Sequence, residues 1–261
     1  LSERGLTEQG VHHLRESIRL APDFAEAHSN LGLALAALGR PEEALQSYDE
    51  ALRLQPDNST FLYNKGLLLS LDPARRAEAE RLLSRAVELN PRPLSARNDL
   101  GNLLLLGGRL AEAEEQFKQI LALRPHHPNA NLAMGSVCYS QARFREALDF
   151  YDRALAGDPD LVVALANTAW LLATTPQPDI RDGARAVSLA ERAVALTQRQ
   201  DPAILSRLAA AYAEAGRFTD ATAAIREAIG LAQRAGQTPL VERFRAMEQL
   251  YQSGQPFRVG G

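Results

Sequence analysis

The residues of this sequence best equipped for chemistry are two histidine pairs, one cysteine and a cluster of arginines. His12-His13 and His126-His127 are adjacent in sequence. Helical metal ligands need a spacing of about four residues to share a face, so neither pair has the geometry of a metal site. The first pair is expected on an outer helix and the second in a turn, both solvated. Cys138 is the only cysteine, which rules out an intrachain disulfide and a zinc cluster. It falls at an inward position of its helix, where a buried and inert thiol is expected. Gly107-Gly108 has no phosphate-loop lysine after it and reads as a helix stop. Arg75, Arg76, Arg81 and Arg85 are dense enough to suggest a phosphate site, yet their pattern is that of a solvated outer helix face. No Ser-His-Asp, metal-ligand or phosphate-loop template is met. The expectation is a chain without catalytic residues, metal or cofactor.

Composition narrows the class further. The formal net charge of −3 comes from 29 basic and 32 acidic residues spread along the chain, against the concentrated basic face of a nucleic-acid binder. Apolar runs such as 31–38 and 103–106 fall far short of the roughly 18 residues that span a bilayer. No signal peptide is apparent. The chain begins with Leu1, and the expectation is that it belongs to a longer protein. Hydrophobic residues make up 46% of the sequence, drawn heavily from Ala and Leu, both strong helix formers.

The elements that position these residues are set by a repeat. Pro22, Pro56, Pro91, Pro125 and Pro159 are separated by 34, 35, 34 and 34 residues. Gly32, Gly66, Gly101 and Gly135 keep the same spacing. Ala44, Ala79, Ala113 and Ala147 follow the glycines by twelve or thirteen residues, and Tyr48, Leu83, Phe117 and Tyr151 follow the alanines by four. Three series in one register describe a pair of helices. The glycine lets the second helix approach, the alanine faces it, and the large residue is expected to fill the groove to the next pair. Each proline ends a second helix, and Gly39, Gly108 and Gly216 stand where a first helix must stop.

These residues resemble the tetratricopeptide-repeat (TPR) pattern, Trp-x-x-Leu-Gly-x-x-Tyr, then Ala-x-x-x-Phe, Ala and Pro. Residues 25–58 carry it in Leu31-Gly32, Leu35, Ala44, Tyr48, Ala51 and Pro56. The resemblance implies an all-α fold, a right-handed TPR superhelix (α-solenoid) of antiparallel helix pairs. Units are expected at 25–58, 59–93, 94–127, 128–161, 162–200 and 202–235. The fifth has a longer loop, 174–183, with Pro176 and Pro178. A capping helix is expected at 238–252, with a stripe of Leu240, Phe244, Met247 and Tyr251, and 253–261 is a tail. Residues 5–22 align without gaps on 39–56, so 1–22 reads as a partial unit, a second helix only.

In the TPR family the first helices line a concave groove that holds extended peptides. The register places Asn30, Asn64, Asp99, Ala133 and Asn167 at equivalent groove positions. An asparagine amide both donates and accepts, so it can clamp a peptide bond; alternatively these side chains tie neighbouring first helices together. Tyr63, Tyr139 and Trp170 are groove-side aromatics, and Trp170 can instead pack on the 174–183 loop. The carboxylate clamp of chaperone-tail binders is met only by Asn167 and Arg207. Leu132, Ser136 and Ala203 occupy its other places, so no preference for a free chain terminus is expected. The last 95 or so residues resemble TPR regions of large bacterial proteins, some with an upstream glycosyltransferase-type membrane domain. The resemblance implies a non-enzymatic scaffold for a protein or extended peptide. Accessory service to a membrane glycosyltransferase and self-association are the alternatives. No nucleic acid is expected, and no membrane insertion by this fragment. Attachment to a membrane domain would place it on the cytoplasmic or extracytoplasmic side of a bacterial membrane.

Overall fold

The computed structural model describes residues 3–259 of the chain, so Leu1, Ser2 and the last two glycines of the tail lie outside it. Among the described residues there are fourteen α-helices and no strand. In chain order they are α1 (Glu3–Leu20), α2 (Ala25–Ala37), α3 (Pro41–Leu54), α4 (Ser59–Ser70), α5 (Arg76–Leu89), α6 (Leu94–Leu106), α7 (Leu110–Leu123), α8 (Pro128–Ser140), α9 (Phe144–Gly157), α10 (Val162–Thr174), α11 (Gly183–Leu196), α12 (Pro202–Glu214), α13 (Phe218–Arg234) and α14 (Thr238–Gln252). They form two compact units, Leu1–Ile120 and Leu121–Gly261.

Within each unit, consecutive helices pack as antiparallel pairs around the glycine register. A Cβ built on Gly32 would lie 2.7 Å from the Tyr48 ring, on Gly101 2.7 Å from the Phe117 ring, and on Gly135 2.4 Å from the Tyr151 ring. The large residue of the second helix therefore sits on the glycine of its own pair. It does not chiefly fill the groove to the next pair, as the sequence suggested. The alanine four residues earlier also faces the glycine, through its backbone: the Ala147 carbonyl would be 3.2 Å from a Gly135 Cβ. Aromatic rings laid over a helix backbone exclude water from both helices, and Tyr48, Phe117 and Tyr151 are almost fully buried.

The first helices α2, α6, α8 and α12 stop by the same device, whereas α4 and α10 end without it. In the α2–α3 turn Gly39 has φ +75°, and the Arg40 amide returns to the Leu35 carbonyl at 2.9 Å. Arg109 to Leu104 and Arg217 to Tyr212 repeat this 6→1 bond at 2.9 and 2.8 Å. The following arginine then folds onto an acid three residues on: Arg40 onto Glu43, Arg109 onto Glu112, Arg143 onto Glu146 and Arg217 onto Asp220. Between pairs, the residue six after the proline can tie down the turn. His28 Nε2 donates to the Pro22 carbonyl at 2.8 Å, and Asn131 Nδ2 to the Pro125 carbonyl at 3.0 Å.

In the first unit α1 packs on α2 through Val11, which is buried with Leu31, Leu35 and Tyr48. Its Glu16–Arg19 pair repeats the Glu50–Arg53 pair of α3, as the alignment of the two segments implies. In the second unit α14 covers α13. The buried stripe is Val241, Phe244, Met247 and Tyr251, whereas Leu240 is only partly covered. Phe244, Met247 and Tyr251 of the stripe read in the sequence are thus buried, and Val241 takes the fully buried place expected for Leu240.

Candidate functional site

The register position before each Leu-Gly or its counterpart carries Asn30, Asn64 and Asp99 on α2, α4 and α6 of the first unit. Asn30 is exposed. Asn64 is half-buried and its Nδ2 donates to Ser29 Oγ on α2 at 3.4 Å, a long bond. Tyr63 OH donates to Asp99 Oδ2 on α6 at 2.8 Å. Burial raises the Tyr63 phenol pKa above its ordinary value, and the Asp99 carboxylate adds to the shift. A cavity of about 260 Å³ opens beside this pair, lined by Tyr63, Asn64, Thr60, Asn90 and Ser95 among others. Its walls are apolar over the larger part, with the hydroxyls of Thr60, Tyr63 and Ser95 and the amides of Asn64 and Asn90 set among them, able to donate to or accept from a peptide backbone.

In the second unit the same register runs through Ala133 on α8, Asn167 on α10 and Arg207 on α12, the last standing before Leu208-Ala209. Ala133 is buried and offers nothing polar. Asn167 Oδ1 accepts from Arg207 Nη1 at 2.7 Å. Trp170 Nε1 donates to Tyr139 OH at 2.9 Å, joining α10 to α8. Ser136, Tyr139, Ser140, Tyr151, Asn167, Trp170 and Arg207 line a cavity of about 190 Å³. Burial pushes the Tyr151 phenol up to about 12, so it is a neutral hydroxyl at physiological pH.

All eight sequence-chosen residues thus lie on first helices; the first unit joins Tyr63 to Asp99 and sets Tyr63 and Asn64 in one cavity, with Asn30 exposed apart from them, and the second sets Tyr139, Asn167, Trp170 and Arg207 in one cavity. Trp170 has a packing partner in the C-terminal tail. Its ring lies 5.5 Å from that of Phe257 at a 37° tilt, and the Arg243 guanidinium stands 5.5 Å from its centroid. The tail brings Phe257 there because the Val259 amide donates to the Thr174 carbonyl at 3.0 Å. Arg258 adds bonds to the Ala173 carbonyl at 3.0 Å and to Glu214 at 2.5 Å. Phe257 carries no periodic signal, so repeat reasoning could not find it. Ser29 could have been found, since it stands in the register of Tyr63.

The other candidates resolve simply. His12 and His13 are exposed, whereas His127 caps α8 by accepting from the Ala130 amide at 3.3 Å. Cys138 is fully buried. Arg75 pairs with Asp72 and Arg85 with Asp57 and Glu88, which gives that cluster the character of a solvated outer face. Among the described residues no group of His, Cys, Asp and Glu could hold a metal ion, and no helix is long and apolar enough to cross a membrane.

The helix pairs, their glycine contacts and their caps define an α-helical repeat protein. Family models described as tetratricopeptide repeat match residues 25–58 and 92–160. The chain is a tetratricopeptide-repeat protein, a fold that in general serves as a scaffold for protein binding. It is 33% identical over 96 residues to the uncharacterised protein y4yS of Sinorhizobium fredii, covering 37% of this chain and 52% of that protein. It is 30% identical over 86 residues to the human protein O-mannosyl-transferase TMTC3, covering 33% of this chain but 9% of that protein. The chain therefore spans about half the length of the first relative and a small part of the second. Among solved structures, Pseudomonas aeruginosa PilF aligns with a TM-score of 0.64 at 26% identity, over 75% of this chain and 86% of that one. A chain of the APC/C hetero-tetramer Cut9–Hcn1 aligns with a TM-score of 0.73 at 14% identity, over 93% of this chain and 46% of that one.

Proposed function

We propose that the protein is a non-enzymatic scaffold that holds an extended peptide segment on the first-helix face of its repeats. The observation that carries this reading is the coincidence of cavity and register. In each unit a cavity opens where the first-helix register places an amide and a phenol, Asn64 and Tyr63 in one and Asn167 and Tyr139 in the other, where the Arg207 guanidinium joins them. Asn64 in the first unit and Asn167 in the second are the amides suited to a peptide bond, and Tyr63, Tyr139 and Trp170 are the aromatic anchors. Each satisfied hydrogen bond contributes only about 1 kcal/mol, and ordering a flexible peptide opposes it. Micromolar affinity follows. We read the helices as six pairs, with α1 as a partial unit on α2 and α14 as a cap on α13.

The test is selection of peptides from a random displayed library, followed by measurement of the winners on Asn64→Ala. The Asn64 bond to Ser29 is long, so the variant should keep wild-type helicity and melting temperature. Weakened binding of the selected peptides supports the reading. Undiminished binding on a folded variant refutes it for the first unit.

The match to TMTC3 favours a second reading, in which such repeats present acceptor proteins to a membrane glycosyltransferase. The parent reading frame decides it: a set of encoded membrane helices upstream supports this role, and their absence removes it.

A further inference from the structure

Arg207 is the half-buried cation of the second unit that lacks an acid. Its only hydrogen bond is to the neutral amide of Asn167, and among the described residues no carboxylate lies within ion-pair distance. This sets it apart from Arg181 and Arg258, which share Glu214, and from Arg185 and Arg199, which pair with Asp152 and Glu227. The Asp201 carboxylate is near enough to be felt, but it caps α12 by accepting from the Ala203 and Ile204 amides at 2.8 and 3.1 Å. Arg243 brings a second positive charge, standing over Trp170. Burial, and then the repulsion from Arg243, lowers the Arg207 pKa below its ordinary value without removing the charge. A buried and unpaired guanidinium is costly in a finished core. Here it lines a cavity of about 190 Å³ with hydroxyls at Ser136, Tyr139 and Ser140.

We propose that this cavity is a recognition site for an acidic side chain, a glutamate or aspartate within the extended segment bound by the second unit. The inference rests on the peptide-binding reading and deepens it. The carboxylate takes the free edge of Arg207 and the neighbouring hydroxyls. Its methylene stem lies against the rings of Tyr139 and Trp170, which line the cavity and are held in place by their mutual hydrogen bond. Aromatic walls of this kind suit the stem of a side chain better than a chain terminus, whose carboxylate is followed at once by a polar amide. Charge complementarity selects the occupant: Arg207 lines the site, Arg243 stands over the Trp170 ring of its wall, and the Asp201 carboxylate is engaged at the start of α12.

The test uses the full chain with labelled nitrogen and three small probes: N-acetylglutamate N-methylamide, its glutamine counterpart, and N-acetylalanine with a free α-carboxylate. Two resonances report. One is the Nε–H of Arg207, assigned by its loss in Arg207→Gln; the other is the indole N–H of Trp170, the single tryptophan of the chain. The glutamate probe should move both, with about tenfold or greater preference over glutamine. The α-carboxylate should respond more weakly than glutamate. Equal response to glutamate and glutamine overturns the proposal, and an α-carboxylate that matches or exceeds glutamate overturns it in favour of a chain end. The comparison among probes needs only the wild-type chain, so a variant that fails to fold does not blunt it. If the displayed peptides bind and depend on Asn64 while the probes do not discriminate, this inference falls and the peptide-binding reading stands. If the probes discriminate while no displayed peptide depends on the register residues, the peptide-binding reading falls and the cavity remains an anion site.

Discussion

Ala142 occupies a position that its relatives in the repeat give to glycine. It stands 34 residues after Gly108, has φ 58°, and is exposed at the end of α8. The bond from the Arg143 amide to the Cys138 carbonyl, at 2.9 Å, is the one made after Gly39, Gly108 and Gly216. The turn is therefore imposed by its neighbours, and a Cβ is carried into left-handed backbone at a cost of about 1–2 kcal/mol. Ala142→Gly removes that cost but frees the unfolded chain, which returns about 0.4–1 kcal/mol. A net gain of about 0.5–1 kcal/mol is expected, read as a raised melting temperature. Gly108→Ala, where an added Cβ meets nothing within 4 Å, should lose a similar amount. An Ala142→Gly variant less stable than wild type would show that the alanine has a use that the turn geometry does not reveal.

At the scale of elements, the C-terminal tail behaves as a strap. It leaves α14 at Gly254, returns to α10 through Val259 and Arg258, and lays Phe257 on Trp170. Because Trp170 is the only tryptophan, its fluorescence reports this contact without labelling. Phe257→Ala should shift the emission to the red and increase quenching by iodide, with the far-ultraviolet circular dichroism unchanged. Emission identical to wild type would mean that the ring is shielded by Arg243 and Tyr139 alone. This strap also marks where sequence reasoning ends. The glycine, alanine and large-residue series announce which helix faces meet, because each pair repeats the same contact at the same spacing. The first-helix register likewise announces the amides of Asn64 and Asn167. Nothing periodic announces Phe257, since it acts once, through a non-local bond to α10. The burial of Val241 ahead of Leu240 at the start of the α14 stripe was hidden for a related reason: both residues are apolar, and only packing on α13 chooses between them. The unpaired state of Arg207 was hidden too, because an arginine in sequence does not show whether an acid will reach it.

For the whole molecule, the consequence of a repeat is that stability is distributed locally. Each helix pair packs on its own partner and on adjacent helices, so a defect in one unit need not propagate through the chain. Gly32 and Gly135 place the same defect in different units. Alanine at Gly32 would bring a Cβ to 2.7 Å from the Tyr48 ring, and at Gly135 to 2.4 Å from the Tyr151 ring, and both rings are buried and unable to swing away. Such overpacking costs about 1–3 kcal/mol. The two variants should nevertheless differ in what unfolds first. In urea, Gly135→Ala lowers the midpoint read by Trp170 fluorescence, because Tyr151 and Trp170 line one cavity. Gly32→Ala lowers the first part of the transition read by circular dichroism while the Trp170 midpoint stays close to wild type. A single cooperative transition would make both probes fall together in both variants, and that result would show that the array unfolds as one body. Separation of the probes in Gly32→Ala alone is the outcome that local stabilisation requires.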